Sequence, residues 1–372
     1  MLRTLCIGSA MVDIIVLVAS RSVERMTMHN ATSSFLLLEQ GRKIEAESIT
    51  PHVGGGAVNA AVAMARLGCA ARALIKIGRD ANGDRIRDRL AAEKVDDSAV
   101  LMTEELPTGT AVMVSSHDRN ASIFTQRGTN TLLRPADIDR RFFADRDLVY
   151  VANLSNRSAD CFPLIVDVAR AAGAFVAVNP GIRQLTSRPA ALFDSLAKVD
   201  LIALNRLESE ALVPILAARR NGSPARATAA PADPNAPVPR LMQLGLSFGG
   251  FDMGLGTYLD AMLRQGAVKR VLVTDGTEGA YLADDAGIHH CPAARCEVMG
   301  TAGAGDAFIA TIAKFLAEGA PPEAALRAAA VNAASVVSQV DTQGGLLSAA
   351  ELRDRVATQA ALLPVTLWRW TA

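Results

Sequence analysis

From residue 148 onward, four- and five-residue apolar runs alternate with longer helical stretches, and this alternation leaves few folds open. Leu148–Val151, Phe175–Val178, Asp200–Leu204 and Val271–Thr274 read as strands. Asp160–Ala172 and Glu208–Arg219 read as helices between them. Strands this apolar must be covered on both faces, and strands that each lead into a helix run parallel. The pattern predicts an α/β chain with a parallel sheet between helical layers. A hairpin is expected over Gly279–His289, and further helices at about Asp306–Ala317, Glu323–Val337 and Ser348–Gln359.

The first third differs. Leu5–Gly8, Met11–Val18 and Phe35–Glu39 read as strands with no helix between them. Thr110–Ser115 and Ala121–Gln126 read as a hairpin around Ser116–Asn120. These early strands are expected to form a separate small sheet made from two segments. Between the segments lie an Ala-rich helix, Ala57–Leu67, stopped by Gly68, then a strand, Ala73–Ile77. The turn Gly78-Arg79-Asp80 leads into an amphipathic helix ending near Glu93. The expected division is 1–10, 51–108 and 128–372 for the main domain, and 11–50 with 109–127 for the small sheet. Pro214–Gly266 reads as a long insertion, with Ala- and Pro-rich Asn221–Pro239 as a loop.

Composition narrows the partners. Positive and negative side chains balance at 38 each, so no basic excess points to nucleic acid or an anionic membrane. No apolar run approaches the ~20 residues of a membrane helix. The N-terminus reads as a strand rather than a signal peptide. Five cysteines in 372 residues form an odd, sparse set, which favours reduced thiols and a cytoplasmic location.

Several short motifs carry chemistry. Gly300-Thr301-Ala302-Gly303-Ala304-Gly305-Asp306 opens onto the apolar run 307–317. Unpaired N–H groups at a helix start form an anion site, and glycines let backbone approach a phosphate. Asp306 beside that site is electrostatically awkward unless it accepts a proton from a hydroxyl attacking the phosphate. The plainer alternative is an Asp that complements the helix dipole. Gly54-Gly55-Gly56-Ala57-Val58-Asn59 opens the first long helix. Asn59 there offers an acceptor and two donors, which suits a polyol; the glycines could equally serve junction geometry alone.

This spacing is not the dinucleotide fingerprint, and without a Gly-Lys dipeptide the usual P-loop is excluded. Asp13, in an apolar strand, either faces water or holds ligand hydroxyls. Asn205 and Glu208, three apart after a strand, could hold hydrated Mg²⁺ near phosphates or form a capping box in Asn form. Thr274 to Gly279 ends another strand, as a phosphate-contacting loop or a plain β-turn. His289, His290, Cys291 and Cys296 match no common zinc spacing.

Taken in order, these motifs resemble the ribokinase-like (PfkB) carbohydrate kinase family, over Gly8 to about Gly345. Gly54 to Ala61 through Leu67-Gly68 is similar to its N-terminal signature, and Gly303 to Phe308 to its C-terminal signature. Ile77-Gly78-Arg79-Asp80 with Gly83, and Arg127-Gly128-Thr129-Asn130, add support. The resemblance implies a Rossmann-like αβα sandwich with a small β-sheet lid. It implies transfer of the ATP γ-phosphoryl group to a hydroxymethyl group, with Mg²⁺.

In that scheme Asp306 is the base, and the amides of Gly303, Ala304 and Gly305 form the anion hole. Asp13, Gly54, Gly55, Asn59 and Arg127 are the expected substrate contacts. Asn205 and Glu208 fall at the phosphate–Mg²⁺ motif, Glu208 reaching the metal through water. Thr274, Gly276 and Gly279 fall at the nucleotide loop, and Asn332 at the adenine pocket. Gly300 stands where the family commonly has an Asp that helps form a monovalent-cation site, so K⁺ activation is not carried over. No acid stands near Asn153–Ser155, where ribokinase-like members often contact the sugar. The insertion is also longer than the family usually needs.

As a helix-start acid, Asp306 is expected to have a pKa at or below about 3.9 and to be ionised at neutral pH. Two rival readings remain. A nucleoside kinase of the same fold would want an aromatic face, for which Phe35 and Phe124 are the lid candidates, yet aromatics make up only 4% of the chain. A non-catalytic sugar- or nucleotide-binding protein has no need of Asp306 with Gly-Ala-Gly before it. The exposed edges of a lid sheet also make a homodimer possible.

Overall fold

The computed structural model describes residues 1–19, 24–27, 34–37, 41, 43–115, 121–219, 226, 228, 231 and 237–371. Among these, nine strands form the main sheet. Its order is Thr366–Arg369, Gly287–Cys291, Ala280–Ala283, Val271–Thr274, Leu201–Asn205, Phe175–Val178, Leu148–Val151, Arg3–Ile7, Ala70–Leu74. The six strands from Val271–Thr274 to Ala70–Leu74 run parallel, and the remaining three add antiparallel at one edge.

Strand alternation divides the buried residues between two hydrophobic cores. Cys6, Ala73, Tyr150 and Ala177 pack against helices Gly56–Arg66, Ala304–Ala317 and Pro322–Val337. Leu5, Ile7, Val149 and Val176 face the other way, onto Phe162–Ala171, Arg206–Arg219 and Leu255–Gln265. This is the αβα arrangement expected from the alternation.

Near one end of the sheet the chain runs off in both directions from a pair of neighbouring strands. Arg3–Ile7 connects forward to its neighbour Ala70–Leu74 on one side, whereas Leu148–Val151, on its other side, connects onward to Phe175–Val178. In open parallel sheets a ligand crevice forms beyond the carboxyl ends of such a reversing pair. Ser9 and Asn153 lie just past those two ends.

A second, four-stranded sheet has the order Ala121–Gln126, Gly109–Ser115, Met11–Val18, Ala46–Gly54. Met11–Val18 pairs parallel with Gly109–Ser115 and antiparallel with Ala46–Gly54. Strand Ala46–Gly54 is missing from the sequence reading because it lies at an edge and is largely exposed, so it carries no apolar alternation. Its Pro51 is tolerated at an edge. Glu24–Thr27 and Ser34–Leu37 form a separate ladder. The rest of the expected strand Phe35–Glu39 and the turn 116–120 lie outside the described residues.

Other boundaries move. The expected strand Ala73–Ile77 is two strands, because the chain changes partner at Ile75, whose carbonyl accepts from the Leu101 N–H. Ala70–Leu74 stays in the main sheet, while Lys76–Gly78 pairs with Leu101–Thr103. Pro214 lies inside helix Arg206–Arg219, so the insertion starts after that helix. Gly245–Gly256 contains a hairpin, Leu246–Phe248 with Phe251–Met253, before helix Leu255–Gln265. Most of Asn221–Pro239 lies outside the described residues.

Candidate active site

The crevice floor is a chain of polar contacts. Ser9 Oγ donates to Asn153 Oδ1 at 2.9 Å and accepts from the Gly56 N–H at 3.0 Å. Gly55 caps helix Gly56–Arg66, and its carbonyl accepts from the Asn59 N–H. Asn59 is buried, and its Nδ2 donates to Asp306 Oδ2 at 2.8 Å. Its Oδ1 accepts from Gln343 Nε2 at 2.9 Å and Thr342 Oγ1 at 3.2 Å. Gln343 Oε1 in turn accepts from Arg89 Nε at 2.8 Å. Asn59 is thereby held in one orientation, amine toward the carboxylate. Thr342, Gln343, Ser9 and Arg89 carry no motif signal, and only the fold brings them here.

Asp306 lies in the first turn of helix Ala304–Ala317. Gly303 caps that helix in the left-handed region, at φ +81°, and a Cβ there would meet the Thr342 carbonyl at 2.5 Å. No other residue fits without backbone movement. The first-turn amides have no intrahelical acceptor, and the space at Gly305 is open. Burial raises the Asp306 pKa, and the Asn59 hydrogen bond opposes this only in part. The expectation of an ordinary or depressed value is therefore corrected: desolvation outweighs the Asn59 hydrogen bond here.

Two further carboxylates sense Asp306. Burial, then the Asp306 charge, raise Asp13 to about 6. Asp13 packs so closely on Gly54 that a Cβ there would lie 2.1 Å from its Oδ2. Burial raises Glu208 to about 7, against the lowering effect of the Asn205 N–H and with a further rise from Asp306. Asn205 and Glu208 form the reciprocal cap: Asn205 N–H donates to Glu208 Oε2, and Glu208 N–H to Asn205 Oδ1, both at 2.9 Å.

On the other side of the Gly303–Gly305 turn lies an apolar cleft of about 300 Å³. Thr274, Gly276, Gly279, Ala304 and Gly305 line it, with Ala333 and Val337 on its far wall. Asn205 is the direct neighbour of Thr274 across the sheet. Asn332 is not on the wall. It is fully buried, its Nδ2 donates to Thr311 Oγ1 at 2.9 Å, and its Oδ1 accepts from the Leu347 N–H at 3.0 Å. Its polar ends tie two helices to a turn, and neighbours of smaller side chain face the cleft instead.

Gly300 donates its N–H to the Val337 carbonyl, and a Cβ there would lie 2.9 Å from the Gln339 carbonyl. Arg127 stands apart from the Asp306 cluster, in a second groove, with its Nη1 donating to Ser155 Oγ at 3.0 Å.

Comparison with known proteins shows the family and the fold. The family model described as pfkB family carbohydrate kinase matches residues 1–233 and 254–349. The deoxyribokinase of Salmonella typhi is 26% identical over 340 residues, covering 88% of this chain and 94% of the relative. The ribokinase of Staphylococcus aureus (strain COL) is 23% identical over 284 residues, covering 74% of this chain and 80% of the relative. The structure of Arabidopsis thaliana ribokinase complexed with ribose and ATP superposes with a TM-score of 0.71 at 20% identity, covering 95% and 98% of the two chains. A nucleoside kinase of Methanocaldococcus jannaschii superposes with a TM-score of 0.68 at 18% identity, covering 96% and 99%. With its two signature turns facing each other across one crevice and the family match running over most of its length, the chain belongs to the pfkB family of carbohydrate kinases.

Proposed function

We propose that the protein transfers the γ-phosphoryl group of ATP to a hydroxymethyl group of a sugar or sugar derivative. The observation that carries this is the Asn59–Asp306 contact at the start of a helix whose first-turn amides have no intrahelical acceptor and beside which the space at Gly305 is open. The acceptor oxygen attacks the γ-phosphorus, the bond from that phosphorus to the β–γ bridging oxygen breaks, and ADP leaves. The hydroxyl proton passes to Asp306. The amides of Gly303, Ala304 and Gly305 stabilise charge on the moving group. Asp13, Gly54, Gly55 and Asn59 orient the acceptor, while Thr274, Gly276 and Gly279 border the nucleotide.

Mg²⁺ suits the donor set. Glu208 keeps Oε1 free of hydrogen bonds among the described residues, and a nearby cation would relieve its repulsion with Asp306. Bound there through water, the ion would neutralise phosphate charge. The proposed domain division takes 11–50 and 109–127 as a lid that excludes water on closure, although strand Ala46–Gly54 carries the small sheet on past residue 50. Edge strands of that sheet expose Ile49, Ile123 and Phe124, which suits homodimerisation through the lid. Five unpaired cysteines suit a reducing, cytoplasmic setting.

The test is ADP release against a panel of sugars and nucleosides. Turnover with nucleosides alone favours the nucleoside-kinase reading, for which exposed Phe124 is the candidate base platform. ATP or sugar binding without turnover favours a binding protein.

A further inference from the structure

Arg89 lies in helix Ala81–Ala92, with about a third of its side chain exposed. Its Nε donates to Gln343 Oε1 at 2.8 Å, and its Nη2 pairs with Glu93 Oε1 at 3.1 Å. Glu93 caps that helix and is itself gripped by Arg66, whose Nη2 reaches Oε1 at 2.6 Å and whose Nε reaches Oε2 at 2.9 Å. The Arg89 guanidinium therefore has a fixed aim. The backbone of Gln343 is held without it. The Gln343 carbonyl accepts from Arg66 Nη1 at 2.8 Å, and its N–H donates to Asp341 Oδ1 at 2.8 Å. What Arg89 contributes is the direction in which the Gln343 amide points.

A guanidinium has donors and no acceptor, so it imposes a direction on every amide behind it. Gln343 must turn Oε1 to Arg89, which leaves Nε2 toward Asn59. Nε2 can only donate, so Asn59 must present Oδ1 to it. Asn59 Nδ2 is then left facing Asp306 Oδ2. Both amides are buried, so water cannot satisfy a reversed one cheaply. Thr342 does not set this direction. Its Oγ1 lies 3.2 Å from both Asn59 Oδ1 and the Val53 carbonyl, and one hydroxyl proton can serve only one of them. Were both amides reversed, Thr342 would donate to Val53 and accept from Asn59 Nδ2, fully satisfied. Asn59 would then turn its oxygen to Asp306, an arrangement that only a protonated carboxyl can complete. Arg89 is the member of the chain that forbids the reversal.

We infer that Arg89 is a positioning residue: acting through the side-chain amides of Gln343 and Asn59, it keeps a donor on Asp306 and so holds that carboxylate in the form that can take up a proton. Its consequence for turnover rests on the kinase reading above; the direction of the amides does not. Three groups on other elements bear on the Asp306 charge. They are Asp13 in the small sheet, Glu208 at the start of helix Arg206–Arg219, and the buried Tyr150 hydroxyl on strand Leu148–Val151. The two carboxylates repel a charge on Asp306 and favour its protonated form, which the Arg89 chain opposes.

The experiment titrates the Asp306 carboxyl in the ligand-free protein by ¹³C NMR of labelled aspartate, the signal being assigned by its loss in Asp306→Asn. It also follows kcat against pH by ADP release. Wild type is compared with Arg89→Met, Arg89→Lys, Gln343→Leu and the double variant Arg89→Met/Gln343→Leu. Glu93 keeps its Arg66 pair in all of them, so the helix is expected to stay folded. In Arg89→Met the Asp306 midpoint and the acid limb of kcat are expected to rise by about one unit, roughly tenfold in the proton equilibrium. The KM for ATP stays as it was. Arg89→Lys, which also only donates, stays near wild type. In the Gln343→Leu background Arg89→Met adds nothing, because the chain is already cut. An unmoved midpoint in Arg89→Met overturns the inference. A shift of the same size in the Gln343→Leu background overturns it too, since the Arg89 charge would then act through space. Arg89→Lys shifted as far as Arg89→Met overturns it as well. The expected midpoint shifts in a protein that turns over no acceptor support the positioning role and overturn the kinase reading instead.

Discussion

Asn59 Nδ2 lies 2.8 Å from Asp306 Oδ2, joining the first turns of two helices 247 residues apart in sequence. Each turn alone has an ordinary structural explanation. Together they place a carboxylate with a raised pKa, a fixed amide donor and a row of free helix amides around one point. A base needs to be ionised to accept a proton, so the Asn59 bond, which favours the charged form, opposes the burial that disfavours it.

Asp306→Asn is expected to lower kcat by roughly 10²–10⁴, the usual scale for removing a general base, with little change in ATP affinity. Steady-state ADP release together with nucleotide titration checks both parts. Near-normal turnover would remove Asp306 from the role of base.

Gln343→Leu should act through Asn59. With the Gln343 donor gone, Asn59 Oδ1 is held by Thr342 Oγ1 alone, and the amide is pinned less firmly against Asp306. The carboxylate then loses a stabilising donor, and the acid limb of the kcat–pH profile is expected to move up by about one unit. A fall in kcat with an unmoved limb would reduce Gln343 to a packing residue.

The ligand-free protein should lose stability as pH rises from about 4 to about 7. Glu208 has its pKa raised from 4.5 to about 7, and Asp13 from 3.8 to about 6. Between the unfolded and folded values the native state holds protons that the unfolded chain releases. The contribution is therefore complete below the unfolded values and lost as pH climbs through the folded ones. Thermal melts across this window should show a decline of a few degrees, flattened in Glu208→Gln. A parallel slope in that variant would place the titration elsewhere.

Activity is expected to differ little between K⁺ and Na⁺, because Gly300 supplies no side-chain ligand. Restoring an acid there should be costly: in Gly300→Asp the new Cβ would lie 2.9 Å from the Gln339 carbonyl. A loss of about 1–3 kcal/mol is the usual scale for such overpacking, readable by urea unfolding. Strong K⁺ stimulation of the natural enzyme would show that backbone carbonyls alone complete a cation site.

Much of this was legible from local pattern. Leu148–Val151, Phe175–Val178 and Val271–Thr274 appear where their apolar runs stand, since a strand buried on both faces has no polar residue to confuse it. Gly303 and Asp306 were legible because left-handed backbone and a helix-start acid leave marks in sequence. Strand Ala46–Gly54 was not, since an exposed edge imposes no alternation. Thr342 and Gln343 were invisible because their partner lies in another helix, and Asn332 misled because a polar residue in a helix reads the same whether it faces a ligand or a neighbouring helix. The raised carboxylate of Asp306 was likewise out of reach, because burial is a property of the assembled fold.

The bond from Gln343 to Asn59 spans 284 residues. A nascent chain emerging from the ribosome presents the glycine-rich opening at Gly54–Gly56 long before the Asp306 carboxylate and Gln343. Contacts of such long sequence separation also form late during folding. Partly synthesised or partly folded chains would therefore hold the Gly54–Asn59 turn without the carboxylate that Asn59 meets in the finished fold.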